Sequence, residues 1–118
     1  ATLFSQQDTE IDEGVYIGPQ CNIGKCAIGK NTLLGSGVHI MSGKGQHNFS
    51  DPEKPIKDQG GVFTKVSVGE NCWLGNGALV MANIGKGSVV AAGSVVVDDV
   101  PEGVIVGGNP AKILRTTF

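Results

Sequence analysis

The chain has few aromatic residues: one Trp, one Tyr and four Phe make up 5% of its 118 positions. Aromatic side chains supply much of the apolar area that is buried in the core of an ordinary domain. A conventional two-sheet sandwich would therefore be hard to fill. A solenoid needs only thin layers of Ile, Val and Leu, so the scarcity of aromatic residues favours a repeat architecture.

The chain also lacks a strong excess of either charge and any long apolar run. Nine basic and eleven acidic residues give a net charge of −2, and the basic residues form no cluster. The electrostatic footprint of a nucleic-acid-binding protein is therefore missing. No apolar run approaches the roughly 20 residues that span a bilayer, and no signal-like leader is visible. We expect no nucleic-acid partner, no integral membrane segment and a cytoplasmic location.

Cysteine and histidine are too few to suggest a metal site. The three cysteines, Cys21, Cys26 and Cys72, are an odd number, and without suitably spaced histidines they are weak evidence for zinc. We expect reduced, packed thiols that act as small apolar groups. His39 and His47 are the two histidines, which excludes a site that needs three histidines around zinc. We therefore expect no metal.

Glycine is abundant, with 19 residues, and it belongs to a six-residue pattern. In ten units an aliphatic residue opens the unit and a small or β-branched residue follows four positions later. The openers are Ile11, Ile17, Ile23, Ile28, Leu34, Val68, Leu74, Ile84, Val90 and Val96. Glycine follows the opener directly in seven units. A fixed short period is typical of a solenoid, whose units bury their apolar edges by stacking.

The period predicts a triangular coil with one short strand on each side. We expect the openers to fill the interior, the small residues to fit near the corners, and the glycine after each opener to take the backbone angles of a tight turn. An antiparallel sandwich with many glycine turns would instead show period-two alternation. The predicted fold class is therefore an all-β parallel β-helix.

The repeat divides one domain, residues 1–118, into four kinds of segment. Residues 1–10 show no repeat and are expected to cap one end of the coil, and residues 107–118 form a short tail that can cover the last strand edge. Residues 11–40 and 66–106 carry the repeat. Between them, residues 41–65 have no six-residue register. A long insertion in a solenoid leaves as a loop and commonly carries function.

Three motifs add to the hexads: His47-Asn48-Phe49 followed by residues 51–56, the segment 71–75 around Trp73, and the segment 108–115. With them the whole chain resembles the hexapeptide-repeat left-handed β-helix acyltransferases, in the branch of maltose, galactoside, serine and polysaccharide O-acetyltransferases. The resemblance implies left-handed coils, a homotrimer with active sites between subunits, and acetyl-CoA as the acyl donor. It also implies that the acceptor is a small molecule or a sugar and that the acetyl group is transferred to one of its hydroxyl groups.

An aliphatic hydroxyl is a poor nucleophile at neutral pH, so its acylation needs a general base, for which histidine is well suited. The resemblance places that base at His47, although the spacer 41–46 before it is longer than usual for the family. His39 is expected to be an exposed side chain or a subunit contact.

The resemblance also implies binding roles, each beside a structural alternative. Trp73 is either a ligand platform or an oligomer contact, and Asn48 is a candidate for contact with the acceptor. Backbone groups of four small residues would meet the pantetheine arm, or these residues simply fit the coil. Two basic residues of the tail would meet the phosphates of coenzyme A, or they are solvated. The four small residues are Gly75, Asn76, Ala92 and Gly93, and the two basic residues are Lys112 and Arg115.

Other functions remain open on the same fold. A serine or other small-molecule acyltransferase would use the same machinery. Transfer to an amine of a nucleotide sugar often involves an additional nucleotide-binding domain, which 118 residues cannot hold. A non-enzymatic scaffold would show regular flat faces and no long insertion. The insertion 41–65 and the lone Trp73 therefore favour an enzyme.

Overall fold

A computed structural model of the protein describes residues 2–3 and 8–117, so the predicted cap over residues 1–10 is described only in part. The strands are β1 (Thr2–Leu3), β2 (Glu10–Ile11), β3 (Tyr16–Ile17), β4 (Asn22–Ile23), β5 (Cys26–Ile28), β6 (Leu33–Leu34), β7 (His39–Ile40), β8 (Val66–Val68), β9 (Trp73–Leu74), β10 (Leu79–Val80), β11 (Val89–Val90), β12 (Val95–Val96), β13 (Val104–Gly108) and β14 (Ala111–Thr116). A short 3-10 helix covers Ile56–Asp58. No helix among the described residues has both the length and the apolar character needed to cross a membrane.

The strands form three sheets that wrap around one axis. One sheet has the order β1-β4-β7-β10-β12, a second β2-β5-β8, and a third β3-β6-β9-β11-β13-β14. Bridges from Val68 to Ile84 and from Ile84 to Val100 continue the second sheet. All neighbouring strands are parallel except β13 and β14. Each turn of the coil thus contributes to each side, as the six-residue period predicts.

The interior is filled by the residues that open the hexads. In the five-stranded sheet the openers Ile23 and Val96 stack in register with two further aliphatic residues, Ile40 and Val80, and all four are fully buried. Ile40 and Val80 follow the openers Leu34 and Leu74 at the six-residue interval, although the ten predicted openers did not include them. The first coil differs, because Ile11 is 40% exposed. Its strand β2 pairs with β5 alone, so within the described residues nothing stacks on its other side. The prediction that the openers point inward is confirmed wherever a coil has neighbours on both sides.

The glycines that follow the openers have a different role from the one predicted. A Cβ added to Gly69 would lie 2.6 Å from the amide nitrogen of Lys86 in the next coil, and one added to Gly75 would lie 2.6 Å from that of Ala92. Neither glycine has a positive φ; the left-handed backbone angles occur two residues later, at Asn71 (φ 54°) and Gly77 (φ 71°). Glycine after the opener is therefore required by the close approach of successive coils, and the expectation about turn angles was wrong for this position.

The three cysteines are packed thiols, as expected. Cys21, Cys26 and Cys72 are at most 3% exposed. The Cys21 thiol donates to the carbonyl oxygen of Gly35 (3.1 Å), and the Cys72 thiol donates to that of Gly85 (3.2 Å). Burial raises the pKa of Cys26 to about 11, which the nearby Lys65 opposes only weakly. A thiol in such a setting stays protonated at neutral pH and is a poor nucleophile.

Replacing Gly69 by Ala tests the close approach of the coils. The new methyl group would press on backbone atoms of the next coil, and overpacking of this kind costs about 1–3 kcal/mol of unfolding free energy. Gly45→Ala is the matched control, because its Cβ would meet no atom closer than 3.9 Å; we expect it to change stability by less than about 0.5 kcal/mol. Urea unfolding followed by circular dichroism measures both. Equal stability of the two variants would contradict the proposed role of Gly69.

Candidate active site

The insertion leaves the coil after β7, at the corner between the five-stranded and three-stranded sheets, and returns at β8. Its two ends run side by side. Thr64 N–H donates to the Ser42 carbonyl oxygen (2.9 Å), Val62 N–H to that of Gly45 (2.8 Å), and Asn48 N–H to the carbonyl oxygen of Gly60 (2.8 Å). The segment without a hexad register is therefore held by its own backbone ladder, which places residues 46–48 opposite residues 60–62.

His47 lies on this ladder with an exposed side chain. Opposite it, Gly61 has no room for a side chain, since an added Cβ would lie 2.0 Å from the carbonyl oxygen of Gln46 and 2.8 Å from the amide nitrogen of His47. The imidazole meets the ring of Phe63 edge to face, with centroids 6.4 Å apart and planes at 80°. The backbone and the ring of His47 are thus both held by residues of the returning segment, while the imidazole remains open to solvent.

The tip of the insertion is organised by Gln59, which the sequence analysis did not single out. Its side-chain carbonyl accepts from Asp51 N–H (3.1 Å), and its amide nitrogen donates to the carbonyl oxygens of Asp51 (2.8 Å) and Lys54 (2.7 Å). The Asn48 side chain donates to the backbone carbonyl of Gln59 (3.3 Å). Asn48, a predicted acceptor contact, therefore also braces the tip next to His47.

Three lysines tie the insertion to the coil. Lys25 donates to the carbonyl oxygen of Phe63 (3.4 Å), and Lys44 donates to that of Val97 (3.1 Å). The Lys65 ammonium pairs with the carboxylates of Asp8 and Glu10. The hydrogen bond to Glu10 and, to a smaller extent, the one to Asp8 raise the pKa of Lys65. These contacts are exposed, so each contributes little to stability by itself. Together they give the base of the loop a defined position.

A groove of about 370 Å³ lies between the loop base and the last coils. Lys44 and Thr64 line it on the loop side, and Met81, Asn83 and Asp99 line it on the coil side. His47 is not part of its lining. The groove therefore does not enclose the predicted catalytic side chain.

Trp73 lies on a different side of the coil from the loop. It is 52% exposed and belongs to β9 of the six-stranded sheet. In that sheet it stands in an outward row that continues through Val89 and Ile105 to Arg115, each in register with the next. The loop of His47 begins at β7, in another sheet. The fold of one chain therefore does not bring His47 and Trp73 together.

The four small residues predicted to meet the acyl donor share one corner, between the six-stranded and five-stranded sheets. Gly75 N–H donates to the Val90 carbonyl oxygen (2.8 Å), and Gly93 N–H donates to that of Asn76 (2.9 Å). The Asn76 side chain accepts from Ser36 N–H (3.0 Å). The N–H groups of Gly75 and Gly93 thus join successive coils, which is their structural role. Asn76 and Ala92 are exposed at this corner.

Lys112 and Arg115 point to the same side of the C-terminal hairpin. Three residues apart, they would face opposite sides of a regular strand, but the pairing of β14 with β13 shifts between Ile105 and Val106. Arg115 consequently lies opposite Ile105, and Lys112 lies opposite Gly107. Neither forms an ion pair within the part of the chain that the structure describes. The bulge therefore places the two basic side chains on one face of the hairpin.

Comparisons with known proteins agree with the fold. No family model matches the chain. Over 139 aligned positions it is 31% identical to a galactoside O-acetyltransferase of Lactococcus lactis, covering 96% of this chain and 65% of that enzyme. Its structure resembles that of a maltose O-acetyltransferase from Clostridium difficile 630, with a TM-score of 0.66 and 25% identity over 95% of this chain and 65% of the other.

The fold is also shared by the polySia-specific acetyltransferase NeuO, with a TM-score of 0.76 and 24% identity over 93% of this chain and 48% of that protein. The chain thus spans about half to two thirds of the length of these relatives. Each is an acetyltransferase by name, and the fold they share with this chain is the left-handed parallel β-helix. Sequence and fold together place the chain among the hexapeptide-repeat left-handed β-helix acyltransferases, in the branch of the maltose, galactoside, serine and polysaccharide O-acetyltransferases.

Proposed function

We propose that the protein transfers an acetyl group from acetyl-CoA to a hydroxyl group of a sugar or of a surface-polysaccharide precursor. The observation that carries this proposal is the placement of His47. It is exposed on a loop whose backbone is held by Asn48 and Gly60, and its ring is in contact with Phe63. A general base must be accessible to its substrate and suitably oriented, and the exposure of His47 and its contact with Phe63 support this role.

In the proposed reaction His47 removes the proton from the acceptor hydroxyl, whose oxygen forms a bond to the thioester carbonyl carbon. A backbone N–H group steadies the resulting oxyanion. The carbon–sulfur bond then breaks, and the imidazolium of His47 returns the proton to the leaving sulfur. The histidine ends neutral and coenzyme A leaves as the thiol. No cysteine forms a covalent intermediate, because all three thiols are buried.

The donor site is proposed at the six-stranded sheet. Lys112 and Arg115 offer an ammonium group and a guanidinium group on one side of the hairpin, and both suit phosphate oxygens. Trp73 stands three strands from Arg115 on the same outward face, a separation of roughly 14 Å at the usual strand spacing. A long, flexible donor can contact both, so the residues present fit coenzyme A.

The acceptor is proposed from the relatives and not from a pocket of this chain. The galactoside and maltose enzymes are named for sugars, and NeuO is described as polySia-specific. Serine, a small-molecule hydroxyl acceptor, remains the alternative substrate. A screen of sugars and serine with acetyl-CoA, read by the release of free thiol, distinguishes them.

We further propose a homotrimer with active sites between subunits. In one chain the donor-side residues lie on the six-stranded sheet, whereas His47 lies on a loop from the opposite corner. A neighbouring subunit that sets its loop against this sheet would bring the two together. The resemblance implies three subunits, and cyclic symmetry closes such a ring.

Replacing His47 by Ala should lower kcat by about 10²–10⁴, the usual contribution of a general base, while binding of acetyl-CoA persists. His39→Ala is the matched control: His39 is exposed in β7, outside the insertion, and its loss should leave most activity. A folded but inactive His39→Ala, beside a His47→Ala variant with normal turnover, would show that the base is the other histidine.

The double variant Lys112→Ala/Arg115→Ala should raise the KM for acetyl-CoA by about tenfold or more, because two charged contacts to phosphate are lost. The KM for the acceptor should be nearly unchanged, since the phosphates are remote from the reacting carbon. Lys30→Ala/Lys86→Ala removes the same charge at another corner and should leave both constants unchanged. A parallel rise of both KM values in the tail variant would instead indicate a general structural role.

Mixed oligomers test the shared site. His47→Ala and Lys112→Ala/Arg115→Ala subunits, unfolded together in equal amounts and refolded, should regain about a quarter of the unaltered activity at limiting acetyl-CoA, because half of all bases meet half of all donor sites across a cyclic interface. Light scattering should report the mass of three chains. Complete lack of recovery in a mixed trimer would place base and donor site on the same subunit, and a monomeric mass would refute the assembly.

A further inference from the structure

We infer that Phe63 is a positioning residue that sets the orientation of the His47 imidazole; this inference rests on the proposed role of His47 as general base. The two rings meet edge to face, with centroids 6.4 Å apart and an interplanar angle of 80°. Aromatic pairs favour this arrangement at separations of 4.5–7 Å, because the positive ring edge meets the negative ring face. The contact therefore favours one setting of an imidazole that is otherwise surrounded by solvent.

Phe63 is suited to this role because its own backbone is fixed. Its carbonyl oxygen accepts from the Lys25 ammonium (3.4 Å). The neighbouring Thr64 N–H donates to the Ser42 carbonyl oxygen, and Val62 N–H donates to that of Gly45. Lys25 is itself part of the coil, since its N–H donates to the Ser42 hydroxyl (2.8 Å) and its carbonyl oxygen accepts from Val66 N–H (3.0 Å). Contacts with the coil, as well as contacts within the loop, therefore fix the position of Phe63.

The close approach at Gly61 supplies the second half of the arrangement. It brings the backbone of His47 against the segment that carries Phe63 two residues later. The same returning segment thus contacts both the backbone of the histidine, at Gly61, and its ring, at Phe63. Phe63 is 43% exposed, so burial in the core does not account for its aromatic ring, whereas orientation of the histidine does.

Nuclear magnetic resonance of protein labelled at histidine tests the contact without substrate. A phenyl ring shifts the signals of protons held near it, so Phe63→Leu should move the Cε1–H signal of His47 and leave that of His39 in place. Phe63→Tyr keeps the ring and should keep the signal. Phe49→Leu is the matched control, since Phe49 belongs to the same loop and is 76% exposed; it should leave the His47 signal unchanged. An unmoved His47 signal in Phe63→Leu would overturn the contact, whatever the activity.

Kinetics test the consequence of the contact. Because a misdirected base reduces the fraction of productive encounters, Phe63→Leu should lower kcat by about tenfold with less than a twofold change in either KM, and Phe63→Tyr should restore kcat. A moved signal with unchanged kcat would overturn the positioning role. If His47→Ala is fully active in the same assay, the choice of base is wrong, and that outcome is separate from a failure of the ring contact.

Discussion

The structure depends on the stacking of each coil on the next through backbone hydrogen bonds. Gly75 N–H to Val90 and Trp73 N–H to Ser88, for example, join one coil to its neighbour at 2.8 and 3.1 Å. Hydrogen bonds of this length set neighbouring strands at the usual separation of about 4.8 Å, and at the position after the opener that separation leaves no space for a Cβ. Glycine after the opener, small residues at the corners and a single aliphatic residue on each inner side are all consequences of that separation.

The same constraint explains what could be predicted from the sequence. Openers such as Ile23 and Leu74 are recognisable because a thin interior admits one residue type at one interval, and both are fully buried. The insertion is recognisable because the interval fails there. The reason for glycine after the opener was not predictable from composition, because both a turn and a close approach call for glycine. The backbone angles distinguish the two explanations, because φ is positive at Asn71 and not at Gly69.

Features set by irregular contacts could not be predicted. Gln59 holds the loop tip through three hydrogen bonds that follow no spacing rule. Lys112 and Arg115 share a face only because a bulge occurs opposite Ile105. Phe63 meets His47 across 15 residues of irregular chain. The doublet Gly60-Gly61 was the one available sign of close backbone contact within the insertion, and the doublet alone does not say which segment approaches it.

A coil this narrow separates the parts of a site that a globular enzyme would gather in one cleft. Its three faces look in different directions, so Trp73 and His47 of one chain cannot share a cavity. Outward side chains in the same row of a sheet, by contrast, are brought together without any loop, as Trp73, Val89 and Ile105 show. Under the proposed function, an extended donor would therefore lie along a face, and the acceptor would be enclosed by a loop from elsewhere.

The loop can change without disturbing the coil that carries it. Residues 66–68 pair with residues 26–28 of the preceding coil, and Val66 N–H donates to Lys25, so the return point is defined by contacts that do not involve the inserted residues. A longer or shorter insertion adds little closure entropy once its two ends are fixed side by side. The spacer 41–46 before His47, which is longer than the resemblance leads us to expect, agrees with this independence. Lys44 lies within the spacer, and its ammonium donates to the Val97 carbonyl oxygen of the coil, which holds the longer segment against the coil. Under the proposed function, acceptor specificity can thus vary in residues 41–65 while the stacked coils remain the same.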